Sequence, residues 1–563
     1  MFRGMSIHIL EFFSHKKDYF HIFAKIIRMR RTKLILVVLT CLLLLFSSLQ
    51  KQFHIVHFRS LKGVEEENLM PKLTFAAYRD GSFQAGTEQY IKQHFGGREP
   101  LIRLYNQYVW DFYGKTNATE YQIVMGKEGW FYEPWFVEDY FHGGTYSHKC
   151  DSVQLVQQFE DEAFRIYQLQ RILESCGTHL FVCLLPGKDL IYPEYLPENK
   201  QYKRKKIISA RDYFCPKFKE LGVNHVNVEQ WFLQMKDTAN FPLFPRTGTH
   251  WSNLASLYVA DSVIRYMEQL GDMNISNLKI GVPSVGKTRE PDDDLESLMN
   301  LARPLDQNYN LYAEVEADGD PTAVKPKIIV IGDSFYWNIA RQLPMDSIFC
   351  SFPFWYYNSS VYYDTIHSSV EDVNLIDELL SADFVILSYC SLLQYEMSND
   401  FTMNALINIC YDSAEMQRNR DAIRMTIEMK DEWREAVAEK ADKRGQTIDE
   451  VIESETTWML KHSWRRYYPS LCDSLPRKRS QRFLRTFDDN AYIKAAKKKT
   501  EEAWRRTGEI MEMLQKKADE RGISVDSMMK LDIQWITDEK IRNGEINLQS
   551  CKPFHSNDKN DLN

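Results

Sequence analysis

The sequence predicts an α/β fold built on a mostly parallel sheet, because apolar strand-like runs alternate with helical patterns. Short runs rich in β-branched residues are typical of buried parallel strands, and they lie at residues 179–186, 226–228, 327–331 and 384–388. Helical patterns separate them, at residues 153–176, 208–221 and 252–270. Parallel neighbours need a long crossover, so this alternation favours a sheet covered by helices.

Length and composition limit the class of protein. A chain of 563 residues is too long for one hydrophobic core and indicates two or three domains. A formal net charge of −8 argues against a dedicated nucleic-acid binder. The 10 cysteines include no Cys-x-x-Cys pair, so their spacing indicates no zinc site.

The amino-terminal region predicts a transmembrane anchor at residues 34–49, which form a nearly continuous apolar run. Residues 1–33 are rich in lysine and arginine, so they are expected to stay in the cytoplasm. We therefore expect a single pass through the cytoplasmic (inner) membrane, with the following domains on the extracytoplasmic, or periplasmic, side. The run is slightly short for a spanning helix, so a long signal peptide is the alternative. No small-x-small cleavage site follows the run, which favours an uncleaved anchor.

A polar linker is predicted over residues 50–74, where no periodicity is visible. The α/β domain is expected to cover residues 75–411. It begins with a helical stretch that the glycine break Gly96-Gly97-Arg98 interrupts. Residues 122–132 then predict a hairpin, in which a glycine-bearing turn joins two short strands.

The composition changes after residue 411, because no strand signal remains. Residues 412–550 are predicted to form an all-helical domain, followed by a tail at 551–563. The string Lys-Ala-Asp-x-Arg-Gly occurs twice, at 440–445 and 517–522, which indicates an internal repeat. We expect two copies, at about 420–460 and 495–537, of a helix, a glycine cap and a second helix.

Each copy of the repeat carries a tryptophan, Trp458 in the first and Trp535 in the second. Helical spacing predicts that these tryptophans lie on the apolar face of the second helix and belong to the core. The region as a whole is expected to be a packing appendage, and a surface that docks a partner is the alternative.

The clearest chemical signal is a serine and a histidine more than eighty residues apart. Ser334 follows the 327–331 strand, so its hydroxyl is expected at the carboxyl edge of the sheet, where open α/β folds bind ligands. His250, between a threonine and a tryptophan, is the candidate base that would activate this serine as a nucleophile. The backbone N–H of Ser334 is a candidate oxyanion donor, because helix amino termini favour negative charge.

Five short motifs follow one another between residues 75 and 395. They are Gly96-Gly97-Arg98, Gly126-Lys127-Glu128-Gly129-Trp130-Phe131-Tyr132, Pro186-Gly187-Lys188 with Tyr192-Pro193, Gly248-Thr249-His250-Trp251, and Gly332-Asp333-Ser334. This order, after an amino-terminal anchor, resembles the SGNH-hydrolase-like proteins of the alginate O-acetyltransferase family.

The resemblance implies an SGNH-hydrolase-like sandwich that transfers an acyl group, most often acetyl, to a cell-surface or secreted polysaccharide. It implies that Ser334 carries the acyl group as a covalent ester. It also implies a multi-spanning membrane-bound O-acyltransferase partner, because cytoplasmic acetyl-CoA cannot reach the extracytoplasmic side. No metal and no tightly bound cofactor are expected.

One position departs from the family pattern. The family's triad acid stands two residues before the histidine, and here that residue is Gly248. Loss of a triad acid costs about 10⁴ in rate in the best-studied serine protease. Three outcomes stay open: another carboxylate such as Asp189 orients His250, the site works as a slower Ser–His dyad, or the domain is inactive. The sequence alone selects no substitute acid.

Three further side chains are candidate oxyanion or substrate contacts, namely Asn358, Trp251 and Lys188. The leading hypothesis is a membrane-anchored O-acyltransferase, and a carbohydrate esterase using water at the same site is the first alternative. An inactive scaffold that binds polysaccharide or assembles a complex is the second. A scaffold would lack a carboxylate beside His250 and would hold Ser334 beyond hydrogen-bond distance.

Overall fold

The computed structural model describes residues 33–63 apart from 36, 43 and 44, and residues 69–142, 152–198, 210–305, 309–363, 366–411, 413–462 and 503–542, with 467, 468, 497, 500 and 501. Nearly all of the predicted cytoplasmic segment and the whole predicted tail lie outside the described residues. The chain divides into two compact units, Met1–Gln122 with Glu296–Asp306, and Ile123–Leu295 with Gln307–Asn563.

The first unit is helical. Its helices are α1 Lys33–Phe53, α2 Phe75–Asp80, α3 Ser82–Gln93, α4 Arg98–Tyr113 and α5 Asn117–Tyr121. Helix α1 is long and apolar enough to cross a membrane, a property that it shares with signal sequences. The predicted glycine break separates α3 from α4, where Gly97 has a φ of 83° that favours glycine.

The chain after residue 122 combines thirteen short strands with helices, counted over the described residues. The strands are β1 Val124–Met125, β2 Phe131–Tyr132, β3 His179–Leu185, β4 His225–Asn227, β5 Leu278–Ile280, β6 Ser284–Lys287, β7 Tyr309–Tyr312, β8 Val315–Ala317, β9 Ile328–Gly332, β10 Phe354–Tyr356, β11 Ser360–Tyr363, β12 Ile366–Ser369 and β13 Phe384–Cys390. The helices up to residue 348 are α6 Pro134–His142, α7 Ser152–Ser175, α8 Lys188–Ile191, α9 Ala210–Leu221, α10 Val228–Met235, α11 Asn253–Gly271, α12 Asp294–Leu298, α13 Tyr336–Ala340 and α14 Met345–Ile348. The later helices are α15 Leu375–Ser381, α16 Phe401–Cys410, α17 Ser413–Met429, α18 Asp431–Arg444, α19 Ile448–His462, α20 Gly508–Arg521 and α21 Val525–Arg542.

The central sheet has seven strands in the order β12-β11-β10-β9-β13-β3-β4. Strands β10, β9, β13, β3 and β4 are parallel, and β11 and β12 add an antiparallel edge. The sheet is therefore mixed, and four of its six strand pairings are parallel, in agreement with the mostly parallel sheet that the sequence predicted. The apolar runs predicted β3, β9 and β13 correctly and β4 within one residue, whereas β10, β11 and β12 escaped prediction because their residues are polar and aromatic.

Both faces of the central strands are buried, which explains why their sequences are apolar without alternation. Along β13, Val385 and Leu387 face one core with α7 and α9, and Phe384 and Ile386 face the other core with α11. The carboxyl ends of β9 and β13 meet at one edge of the sheet, and there the predicted serine lies.

The helices after residue 411 group with the sheet, which differs from the predicted domain boundaries at 75 and 411. Val437 of α18 and Val451 of α19 belong to the same core as α7. Helices α20 and α21 pack through a small cluster of their own around Leu514 and Met528. Gly445 and Gly522 both end their helices in the left-handed conformation, as predicted for glycine caps.

The prediction that the two repeat tryptophans lie in the core is wrong. Trp458 is 55% exposed and Trp535 is 59% exposed. In the second helices the fully buried residues instead include Val451 and Met528, each two turns before the tryptophan. Sequence spacing alone could not show how much of each helix the rest of the domain covers.

Candidate active site

Ser334 lies on the turn between β9 and α13, at the carboxyl edge of the sheet. The neighbouring carboxylate of Asp333 fixes this turn, because its Oδ1 accepts the N–H of Phe335 at 3.0 Å and its Oδ2 accepts the N–H of Cys390 at 2.6 Å. Burial raises the pKa of Asp333, and these N–H donors lower it in part. Asp333 therefore joins the serine turn to the end of β13.

His250 faces Ser334 across this edge. Its Nε2 lies 2.8 Å from the Oγ of Ser334, and its ring packs edge-on against Phe335 with ring centroids 4.9 Å apart. His250 lies just before α11. Ser252 caps the amino terminus of this helix, because its Oγ accepts the N–H of Ala255 at 3.2 Å. The structure thus brings the two predicted residues within hydrogen-bond distance.

Asp294, which the sequence did not single out, completes this chain of contacts. Its Oδ2 lies 2.6 Å from the Nδ1 of His250. Its Oδ1 accepts the N–H of Thr249 and the N–H of Leu295, both at 2.7 Å. The carboxylate is therefore held at two points and can fix the imidazole tautomer in which Nε2 is the free base. The acidic run after Pro291 was the available signal in the sequence.

Gly248 has no room for the side chain that the family pattern places there. A Cβ at this residue would lie 2.6 Å from the carbonyl oxygen of Asp292 and 2.8 Å from the Cγ of Pro245. The loop before His250 is therefore packed against the segment that supplies Asp294. This backbone therefore leaves no space for an acid two residues before the histidine.

The charges around the imidazole favour its protonated form. Burial lowers the pKa of His250, but the hydrogen bond and charge of Asp294, with the charges of Glu133 and Asp333, outweigh burial and raise it. Glu133 follows the hairpin and hydrogen-bonds Thr249, and burial raises its own pKa. The sequence did not single out Glu133, because it stands just outside the hairpin motif.

Lys188 does not face a substrate, contrary to the prediction that it could contact one. The side chain is buried, and its Nζ donates to the carbonyl oxygens of Phe131, Arg246 and Gly248 at 2.7, 2.8 and 2.8 Å. Three acceptors match the three protons of an ammonium group. Lys188 therefore ties the hairpin to the loop that carries His250.

Trp251 and Asn358 were the other two predicted contacts. Trp251 is fully buried and packs edge-on against Phe335 at 5.5 Å, so it supports the histidine loop and offers no surface to a sugar. The Nδ2 of Asn358 donates to the carbonyl of Asn399 at 2.9 Å, which commits this amide to a neighbouring loop.

Asp189, the substitute acid considered from the sequence, is buried near Asp139 and Glu229, and burial raises its pKa well above the usual range. It does not contact His250, whose Nδ1 partner is Asp294. For the oxyanion, the backbone N–H of Ser334 has no acceptor among the described residues. This N–H is free to bind the oxygen of a tetrahedral intermediate.

Part of this chain is similar to known SGNH hydrolase-like domains. Residues 123–344 match the family model described as SGNH hydrolase-like domain, acetyltransferase AlgX. The matched range contains Ser334, His250 and Asp294. The resemblance that the sequence motifs indicated is confirmed.

Individual known proteins are also similar to this chain. The chain is 27% identical over 187 residues to the probable alginate O-acetylase AlgJ of Pseudomonas aeruginosa, a match that covers 33% of this chain and 43% of the relative. The match thus spans less than half of that relative's length. Among solved structures, the O-acetyltransferase domain of Pseudomonas putida AlgJ has a TM-score of 0.33 at 15% identity, covering 53% of this chain and 98% of that domain. Pseudomonas aeruginosa AlgX has a TM-score of 0.32 at 12% identity, covering 52% of this chain and 68% of AlgX.

Proposed function

We propose that this protein is an O-acyltransferase that uses Ser334, His250 and Asp294 as a catalytic triad. One observation carries the proposal: Ser334 Oγ, His250 Nε2, His250 Nδ1 and Asp294 Oδ2 form a continuous line of contacts of 2.8 and 2.6 Å. Serine, histidine and a carboxylate in this order are the parts that nucleophilic acyl transfer needs. The aspartate supplies what Gly248 cannot.

In the first half of the reaction, the Oγ of Ser334 attacks the carbonyl carbon of an acyl ester while Nε2 of His250 takes the hydroxyl proton. The N–H of Ser334 stabilises the oxyanion. Collapse of the tetrahedral intermediate breaks the donor ester bond, and the leaving alkoxide takes the proton from Nε2. The product of this half is an acyl ester on Ser334 and an alcohol.

In the second half, Nε2 takes the proton of an acceptor hydroxyl, whose oxygen attacks the acyl-serine. Collapse returns the proton to the Oγ of Ser334 and releases the new ester. We propose that the acceptor is a polysaccharide hydroxyl and the group is acetyl, supported by the names of the relatives, alginate O-acetylase and acetyltransferase. Asp294 accepts the Nδ1–H of His250 and stabilises the imidazolium that forms in each half.

The location proposed for this chemistry is the extracytoplasmic side of the inner membrane, with α1 as a single-pass anchor. The length and apolar character of α1 support the anchor. Because acetyl-CoA is cytoplasmic, the proposal includes a membrane-bound O-acyltransferase partner that exports the acyl group. The site itself argues against the scaffold alternative, because a carboxylate lies beside His250 and the serine is within reach.

The experiment that tests the proposal uses the full chain in detergent, an activated acetyl ester and an oligosaccharide acceptor. We expect O-acetylated sugar by mass spectrometry, and none with the Ser334→Ala variant. If the only product is free acetate and its release depends on Ser334, the protein is an esterase and not a transferase. Sugar acetylation that persists in Ser334→Ala would refute the proposed site.

A further inference from the structure

Helix α4 exposes an apolar and aromatic stripe that the proposed chemistry does not use. Leu101, Leu104, Tyr105, Tyr108 and Phe112 follow the spacing of one helical face. Their exposed fractions are 44%, 60%, 63%, 52% and 71%. A continuous exposed apolar face of this kind marks a binding surface, since single exposed apolar residues are common but contiguous ones are not.

The other side of α4 is polar and buried, the reverse of a helix in a soluble domain. Arg103 donates to the carbonyl oxygens of Ser60 and Leu301 at 2.8 and 3.3 Å, and Asn106 donates to the carbonyl oxygen of Met299 at 2.8 Å. These hydrogen bonds fix the rotation of α4 about its axis. Because the buried polar side fixes this rotation, the opposite side of α4, which carries the apolar stripe, faces outward.

The first unit also fixes where α4 begins relative to α1. Gly96, in the corner between α3 and α4, lies against the carbonyl oxygen of Ser47, and a Cβ there would meet this oxygen and the backbone nitrogen of Lys51. Ser47 and Gln50 are buried, although both stand on an otherwise exposed apolar helix. The α3–α4 corner therefore packs on the carboxyl end of α1, and only glycine at 96 permits this approach.

The apolar run ends at Leu49, so a membrane that α1 crosses has its outer boundary at this level. A helix that starts beside Ser47 and Lys51 therefore starts in the interfacial layer. Tyrosine rings suit that layer, because one end of the ring is apolar and the other accepts and donates hydrogen bonds. Over its 16 residues α4 extends about 24 Å, and its stripe from Leu101 to Phe112 covers about 16 Å of that length.

We infer that α4 is an interfacial helix whose stripe, Leu101, Leu104, Tyr105, Tyr108 and Phe112, inserts into the outer leaflet of the membrane that α1 spans. The inference rests on the anchor proposed above. Its consequence is that the first unit is attached to the bilayer at two places, the spanning helix and the surface helix, and not by a flexible stalk. The predicted linker over 50–74 is then a short connection between two membrane-bound elements.

Site-specific photo-crosslinking tests this inference in membranes from cells that express the full chain. Benzoylphenylalanine replaces Tyr105 or Tyr108, and the lipids carry a clickable fatty acid. Val282, which is 93% exposed and apolar, provides the control position. We expect several-fold more lipid label on the chain with the probe at 105 or 108 than at 282.

Three results would overturn the inference: lipid labelling no stronger than at Val282, a crosslink to another protein, or a crosslink to a second copy at twice the mass. Extraction with alkaline carbonate distinguishes an error in the proposed surface helix from an error in the proposed membrane anchor. A chain that carbonate releases has no anchor, and the basis of the inference is lost. A chain that stays in the membrane without lipid label at 105 and 108 refutes the surface helix alone.

Discussion

Replacement of Asp294 by asparagine is the perturbation that addresses the triad most specifically. In the wild type, Oδ1 of Asp294 accepts the N–H groups of Thr249 and Leu295 at 2.7 Å each. The amide oxygen of the asparagine can accept the same two N–H groups. The amide nitrogen takes the place of Oδ2, 2.6 Å from Nδ1 of His250. An amide N–H there donates to Nδ1, so the proton moves to Nε2. His250 then has no free base to offer Ser334.

The expected loss follows from this tautomer change. An equivalent substitution in a serine protease lowers kcat about 10⁴-fold with the geometry intact. That factor corresponds to about 5.4 kcal/mol of transition-state stabilisation, since each factor of ten is about 1.36 kcal/mol. The free energy of unfolding should change by less than about 3 kcal/mol, because the amide keeps all three contacts and loses only the charge that strengthens them.

The assay is the steady-state rate of ester turnover and sugar acetylation, with thermal unfolding measured on the same sample. Asp293→Asn is the matched control, because it removes the adjacent carboxylate, which is not a hydrogen-bond partner of His250. We expect Asp293→Asn to stay within tenfold of the wild-type rate. A rate for Asp294→Asn within tenfold of wild type, in a folded protein, would refute the assignment of Asp294.

The same geometry makes a second variant informative. Gly248→Asp restores the family's acid position in the Asp294→Asn background. A Cβ at 248 meets Asp292 and Pro245, so this acid should lower the melting temperature and restore no activity. Recovery of activity would show that the loop can move to accept the family arrangement.

Three further predictions test other parts of the structure. The rate should fall as pH drops through the pKa of His250, because the protonated imidazole cannot accept the serine proton. This pKa lies above the ordinary value of 6.5. Removing the Asp294 charge lowers the pKa, so this limb of the pH–rate profile should move to lower pH. Lys188→Met should cost about 3 kcal/mol or more in the free energy of unfolding, measured with denaturant, because three buried carbonyl oxygens lose their donor; an unchanged midpoint would contradict the role of Lys188. Trp535→Ala should leave thermal stability within about 0.5 kcal/mol, whereas Leu514→Ala, in the core of the same helix pair, should cost about 2–5 kcal/mol; equal losses would contradict the exposed position of the tryptophan.

The sequence predicted the parts of the site that local pattern determines. Ser334 was found because a buried strand ends just before it, and His250 because its motif opens a helix. Asp294 was missed because it lies 44 residues beyond His250 in the chain. Only the folded backbone brings the acidic run after Pro291 against the loop at Gly248, and no spacing rule carries that information.

Burial explains the remaining differences. Lys188 was predicted from the sequence as a candidate substrate contact, yet its three acceptors come from segments 57 to 60 residues away. Trp458 and Trp535 look like core residues because they follow helical spacing, yet the neighbouring helices leave both side chains more than half exposed. In both cases the contacts of the side chain depend on tertiary packing, which the local sequence pattern does not contain.

The central claim is that Ser334 carries the acyl group and that His250 with Asp294 activates it. The most direct measurement is intact-mass and peptide mass spectrometry of the full chain after brief exposure to an activated acetyl ester. The account predicts one acetyl group on Ser334 in the wild type, none in Ser334→Ala and greatly slowed labelling in Asp294→Asn. An adduct on another residue, or ester turnover equal in wild type and Ser334→Ala, would contradict it.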